Sequence, residues 1–394
     1  MFAGRVPASL APGPWARRLE RLRAAGVALL DLTDHDPTAA GLSELDPAQR
    51  TALADPAGLV HAPSPRGQAR AREAVAAHYA ARGLAVAPGD IVLVASTSEA
   101  YAHAFRLFAE PGGRFLAPRP GYPLCEPLAA AEAVAIDGYP LVLAGGAWRI
   151  DETALASALP GARGVLAVHP NHPAGSFLAR DEARGLAALL ARHDVPLLVD
   201  EVFSEFHDET APGARPRSAL RASFVDEEEA VTLVFSGLSK SCGLPQLKLG
   251  WIVVAGPRGR REEVLARLDW LADTFLSVGG PVQHALPALL AAAPRFQSAV
   301  CARVRANRAE LVRALEAAPA ARLLPSDGGW SAVIALPPGA DDETAALALL
   351  EHEVVVHPGY FYEFAEPGRL VLSLLPATDR FARGAAAVAA VARG

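Results

Sequence analysis

Short apolar runs rich in β-branched residues alternate with longer segments of helical pattern through the middle of the chain. IVLVAS (91–96), RFLAP (114–118), GVLAVHP (164–170), PLLVDEV (196–202), VTLVFS (231–236) and LGWIVVAG (249–256) predict buried strands. Segments between them, such as 98–109, 178–193 and 259–277, predict helices. This alternation argues for an α/β fold with a mainly parallel sheet covered by helices on both faces. Ligands of such sheets bind in the crevice beyond the strands' carboxyl ends.

The last hundred residues carry a different pattern. A long Ala/Arg-rich helical stretch (281–318) leads into WSAVIALP (330–337), EVVVHPGY (353–360) and RLVLSLLP (369–376), and an Ala-rich helix follows. This predicts a smaller α+β domain. The helix at 14–26 and the turn DHDPT (34–38) have no place in the large sheet and are expected to pack with that domain. The expected division is an N-terminal segment over 1–42, a large domain over 43–285 and a small C-terminal domain over 286–394. The loop HDETAPGARPR (207–217) is the most disorder-prone interior stretch by composition.

Half of the chain is hydrophobic (51%), but dispersed, with no apolar run of the ~20 residues that a membrane span needs. The first residues lack the apolar core of a secretory signal. A net charge of −6 shows no basic stripe for nucleic acid. Cys125, Cys242 and Cys301 are odd in number, far apart and without metal-ligand spacing, so no metal site is expected and a reducing cytoplasm is. One feature of composition changes the picture. Of the 37 Lys and Arg residues only Lys240 and Lys248 are lysines. Arginine supplies positive charge elsewhere, so these two are candidates for chemistry that a guanidinium cannot perform. Lys240 follows an apolar strand and a serine (VTLVFSGLSK), which suits a lysine forming a Schiff base with an aldehyde cofactor.

Other candidates stand at strand ends. Asp200 ends PLLVD. Alone it reads as a solvated or capping acid, but a parallel sheet would bring it to the same crevice as Lys240. There it could keep a pyridine-type ring nitrogen protonated. In ASTSEAY (95–101), Ser96, Thr97 and Ser98 open a helix. They suit either an ordinary N-cap or an anion site. Tyr122 in RPGYPLCEP could stack on a flat ring or pack in a Pro-flanked turn. His172 in NHPAG could donate to a phenolate oxygen or simply be exposed. Lys248 could bind phosphate as a point charge or be solvated before its strand.

Taken together and in order, these segments resemble the fold type I pyridoxal-phosphate enzymes, in particular the class I/II aminotransferases related to aspartate aminotransferase. SPRGQARAREAVAAHYA is similar to the family's P-x-G-x-x-x-x-R helix start, and ASTSEAY to its phosphate segment. GYP resembles the turn with the stacking aromatic, NHPAG the N-P-T-G turn, DEVF the D-E-x-Y motif and GLSKSCGLPQLKLGW the S-x-S-K…R-x-G motif. DLTDHDPTAAGL resembles the N-terminal stretch near the substrate. The resemblance implies a seven-stranded sheet and a homodimer with the site at its interface. It implies pyridoxal 5′-phosphate held by Lys240, Asp200 paired with the ring nitrogen and Tyr122 stacked on the ring. Ser96, Thr97, Ser98, Ser236 or Ser239, and Lys248 would surround the phosphate. The implied reaction moves an amino group between an amino acid or amine and a 2-oxo acid.

The departures are specific. His172 stands for the family's asparagine, Phe203 for its tyrosine, Lys248 for the phosphate arginine, and His61 for a tyrosine that reaches the partner's phosphate. Gly237 stands for the first serine of S-x-S-K, beside Ser236. Val371 occupies the position of the arginine that grips a substrate carboxylate, with Arg369 two residues earlier on the same strand face as a candidate substitute. These changes motivate an alternative reading, another pyridoxal-phosphate reaction such as decarboxylation, elimination, cyclisation or oxidation. A third reading is a non-catalytic effector-binding domain; the acidic balance and the lack of a basic helix-turn-helix argue against it.

Overall fold

The computed structural model describes residues 3–7 and 11–393. Its main sheet has eight strands: β1 Ile91–Val94, β2 Arg114–Arg119, β3 Ala135–Ala144, β4 Ala147–Ile150, β5 Gly164–Val168, β6 Leu197–Asp200, β7 Thr232–Gly237 and β8 Gly250–Ala255. Their order across the sheet is β1-β8-β7-β6-β5-β2-β3-β4. The pairs from β7 through β3 are parallel, while β1–β8, β8–β7 and β3–β4 are antiparallel. All of β1, β5, β6, β7 and β8 is buried, as their unbroken apolar runs require. The count of seven strands is corrected to eight. Gly145 and Gly146, both at positive φ, close a two-residue hairpin that adds β4 at the edge.

The register lines up one edge. Asp200 lies opposite Val168 and Phe235, while Gly237 pairs with Gly250 and Val94 also pairs with Gly250. The carboxyl ends of β1, β6 and β7 therefore meet the start of β8. Helices fill both faces through two apolar clusters, one centred on Leu186, Leu197 and Trp251, the other on Phe105, Leu198 and Phe235.

A smaller sheet is built from β9 Arg322–Leu323, β10 Ser331–Ala335, β11 His357–Pro358 and β12 Arg369–Ser373, in the order β9-β10-β12-β11. Its core joins Trp15, Leu19 and Leu32 to Leu349, Leu372 and Phe381, and Leu30–Asp31 pairs in parallel with Val354–Val355. The N-terminal segment thus packs on C-terminal elements. The helical stretch 281–318 is two helices, Gly280–Ala291 and Ala293–Leu315, with Pro294 in the first turn of the second, where a missing N–H costs nothing. The loop 207–217 is tied down rather than loose. Arg215 Nη2 meets Asp327 at 2.6 Å, and Asp208 is paired with Arg305 and Arg308. Among the described residues no helix is long and apolar enough to cross a membrane, and no cluster of side chains could hold a metal ion.

Candidate active site

Lys240 lies in the single-turn helix Leu238–Ser241, directly after β7. The turn is tight, since a Cβ on Gly237 would approach Gly250 Cα to 2.8 Å. Lys240 Nζ donates to His35 O at 3.0 Å and lies 5.1 Å from the Trp330 ring centre and 5.8 Å from that of Phe203. Burial lowers its pKa to about 8, against the pull of Asp36, Asp34 and Asp200. Such an amine has an appreciable unprotonated fraction near neutrality, the state that attacks a carbonyl.

Asp200 is buried at the end of β6. Its Oδ2 accepts from Tyr101 Oη at 3.0 Å and its Oδ1 from Val202 N at 3.1 Å. Burial raises its pKa to about 6, opposed by those two donors and by Lys240. A cation placed beside it would return it to the ionised form. Tyr101 sits one turn into the helix Thr97–Phe108, on the face turned to the sheet.

Ser96 caps that helix, accepting from Glu99 N at 3.2 Å, and Thr97 and Ser98 form its first turn. A Cβ on Gly250 would lie 3.0 Å from Ser236 O and 3.4 Å from Thr97 N. The helix start, the end of β7 and the start of β8 therefore meet in close contact at Gly250. Ser236 is buried with its Oγ 3.4 Å from Ser241 Oγ, and Ser239 is half-buried one residue before Lys240. Lys248 is exposed and left-handed (φ 50°) just before β8. His61 is exposed and lines a cavity of about 350 Å³ with Ser64, His103 and Ser277. Ser277 Oγ bonds Glu99 Oε2 at 2.6 Å, so this cavity adjoins the same helix start.

The opposite wall is aromatic and polar. His172 stacks on Phe203 at 5.9 Å, meets Tyr122 at 6.2 Å and Tyr362 at 5.4 Å, and its Nδ1 lies 3.3 Å from Ser331 Oγ. His35 Nε2 lies 2.9 Å from the same hydroxyl, and His357 Nδ1 lies 2.8 Å from Tyr362 Oη. Burial lowers His35 to about 3 and His357 to about 4, and holds His172 well below the usual histidine range. All three imidazoles are neutral at pH 7. Burial raises the half-buried Tyr122 hydroxyl.

Lys240, Asp200, Tyr122 and His172 thus share one crevice with the serine-rich helix start. Arg369 does not join them. It opens β12 opposite Ala335, four positions from Ser373, which pairs with Ser331. That spacing is about 13 Å of strand, and the guanidinium is held by Glu366 and Pro367 O. Val371 is sealed among Trp148, Ala174, Val333 and Tyr362. Tyr101, His35, Trp330, Ser331, His357 and Tyr362 were not among the sequence candidates. Two had a local signal: Tyr101, four residues after Thr97 on a helix that opens at the crevice, and His35, within the stretch DLTDHDPTAAGL that resembles the family's segment near the substrate.

A sheet presenting a lysine and a buried acid at its carboxyl edge defines the class of α/β lysine enzymes that work beyond strand ends. An aminotransferase structure from Escherichia coli superposes with a TM-score of 0.84 over 100% of this chain and 98% of that one, at 20% identity, which shows the shared fold. The model of the family "Aminotransferase class I and II" matches residues 29–382, and the chain belongs to that family. Among curated relatives, the glutamate-pyruvate aminotransferase of Escherichia coli strain K12 is 26% identical over 71% of this chain and 67% of its own. The tyrosine aminotransferase of Bos taurus is 27% identical over 88% of this chain and 78% of its own.

Proposed function

We infer that this chain is a pyridoxal 5′-phosphate-dependent aminotransferase that moves an amino group between an amino donor and a 2-oxo acid. The observation that carries this reading is the pairing of an amine with a pKa near 8 and a buried carboxylate in one crevice of a class I/II family fold. The donor set fits the cofactor. Asp200 is a buried acid in want of a cation, and Ser96, Thr97 and Ser98 open a helix whose first N–H groups suit an anion.

In this reading the cofactor supplies an aldehyde for the amino group and a ring that withdraws electrons. Lys240 Nζ would hold the cofactor through its aldehyde and, when free, would carry the substrate proton. Asp200 stays ionised against the ring nitrogen, oriented by Tyr101 and Val202 N. Ser96, Thr97 and Ser98, with Ser236 and Ser239, bind the phosphate through N–H and hydroxyl groups, and Lys248 adds a charge. Tyr122 and His172 would orient the ring. The aromatic wall of Phe203 and Trp330 keeps water from Lys240 Nζ.

Arg369 stays outside this assignment. The test is a spectral cycle on the purified holoenzyme. An amino donor is expected to convert the bound cofactor to its amine form, and a 2-oxo acid to restore it. A panel of amino acids and primary amines that yields no such cycle would sink the reading.

A homodimer and a cytoplasmic location accompany it. Leu59 (76% exposed), Val60, Phe275 and Leu276 form an apolar surface around the cavity that His61 lines. A second copy covering it would bring His61 toward the other site's phosphate. Light scattering should return twice the 41.1 kDa chain mass; a monomer at micromolar concentration would remove this part. Cys125, Cys242 and Cys301 are free thiols, as a reducing compartment permits.

A further inference from the structure

The charge of the groups around Lys240 bears on what the site can accept. Toward the small sheet it faces Trp330, just before β10, and Ser331 at the start of β10, then the linked pair His357–Tyr362. From the N-terminal segment come His35, whose carbonyl accepts a hydrogen bond from Lys240 Nζ, and the carboxylates Asp34 and Asp36, which act on its charge. From the large sheet come His172, Phe203 and Asp200. Besides Lys240 itself, every charged group in this set is an acid.

A carboxylate entering such a crevice needs a cation with matching hydrogen bonds, because burying an unpaired charge is costly. Besides Lys240, the described residues of this set offer none. Among the described residues, no arginine hydrogen-bonds or pairs with His35, His172, Ser331, His357, Tyr362 or Lys240. Arg119 lies two residues before Gly121, whose N donates to Tyr362 O at 3.0 Å, but its guanidinium is bound by Glu126 and Glu363. Arg369 is held by Glu366 at the far end of β12. The three imidazoles are kept neutral by burial. They and the Ser331 and Tyr362 hydroxyls offer donors and acceptors without charge.

We propose that the site takes as amino donor a primary amine whose amine-bearing carbon carries a neutral hydrogen-bonding substituent, such as a hydroxymethyl group, in place of a carboxylate. This rests on the aminotransferase reading above and names its substrate class. The neutral substituent is received by the Ser331 hydroxyl, which stands between His35 Nε2 and His172 Nδ1. Asp34 and Asp36 favour the approach of a protonated amine and disfavour a carboxylate.

The experiment compares matched donors on the holoenzyme in single turnover. L-alaninol and L-alanine form one pair, L-phenylalaninol and L-phenylalanine another. Each pair differs only in hydroxymethyl against carboxylate. The alcohol is expected to convert the bound cofactor with a kcat/KM at least about 10-fold above its amino acid. An amino acid that equals or exceeds its alcohol overturns the proposal and leaves the aminotransferase reading intact. Conversion by neither class overturns both. Asp36→Asn keeps the turn with Thr38 and should shrink the alcohol preference roughly 5-fold, chiefly through KM. An unchanged preference in that variant counts against the electrostatic argument. Propionate, a non-reacting carboxylate, provides a readout independent of turnover. No saturation is expected in calorimetric titration, and a Kd below about 1 mM overturns the proposal.

Discussion

Lys240→Ala is expected to lose turnover by about 10⁴-fold or more, together with the visible absorption of bound cofactor. The loss combines two functions in one atom. In the proposed reading Nζ is both the attachment point and the proton carrier, and the other lysine, Lys248, lies eight residues further on. Lys248 is exposed just beyond the end of the 3₁₀ turn Pro245–Leu247. The fold should survive. The substitution removes a half-buried cation whose pKa burial already depresses, and one hydrogen bond to His35 O. Retained turnover in this variant, with an unchanged melting curve, would remove Lys240 from the mechanism.

Asp200→Asn is expected to move activity and stability in opposite directions. Activity should fall about 10²–10³-fold, the scale of removing one partner of a buried charge pair. Stability of the cofactor-free protein should rise. Burial lifts the folded-state pKa to about 6 from the reference 3.8. An acid raised in this way contributes stability that is complete below pH ~4 and lost as pH climbs through ~6. At pH 8 the gap corresponds to a penalty of up to about 3 kcal/mol, which asparagine does not incur. Asn Oδ1 can still accept from Val202 N, and its Nδ2 can donate to a reoriented Tyr101 hydroxyl. Denaturant unfolding of both apo proteins at pH 5 and pH 8 checks this. The variant's advantage should be larger at pH 8. An advantage that shrinks as pH rises, or a variant weaker at pH 8, would contradict the burial argument.

The strands that carry the site were legible because each is apolar at nearly every position, the mark of a sheet covered on both faces. Asp200 and Lys240 followed, since parallel neighbours deliver their ends to one edge. β3 was not legible. Gly138 and Pro140 lie inside it and read as breakers, and its outer half is exposed. The loop 207–217 misled by composition because its anchors, Asp327 and Arg308, lie about a hundred residues away. The same distance in sequence hid Trp330, Ser331, His357 and Tyr362. They reach the crevice only because the small sheet docks there. Arg369 shows the converse error. Strand alternation placed it on the correct face, but register set it at the wrong end, and Glu366 three residues earlier captures its guanidinium.

The central claim is a covalent one, that Lys240 Nζ carries the cofactor. Borohydride reduction of the holoenzyme, followed by peptide mass mapping, tests it directly. The account predicts a reduced phosphopyridoxyl group on the peptide containing Lys240 and none on a peptide containing only Lys248. A label on Lys248, or an unlabelled Lys240 in protein that visibly binds pyridoxal phosphate, would contradict it.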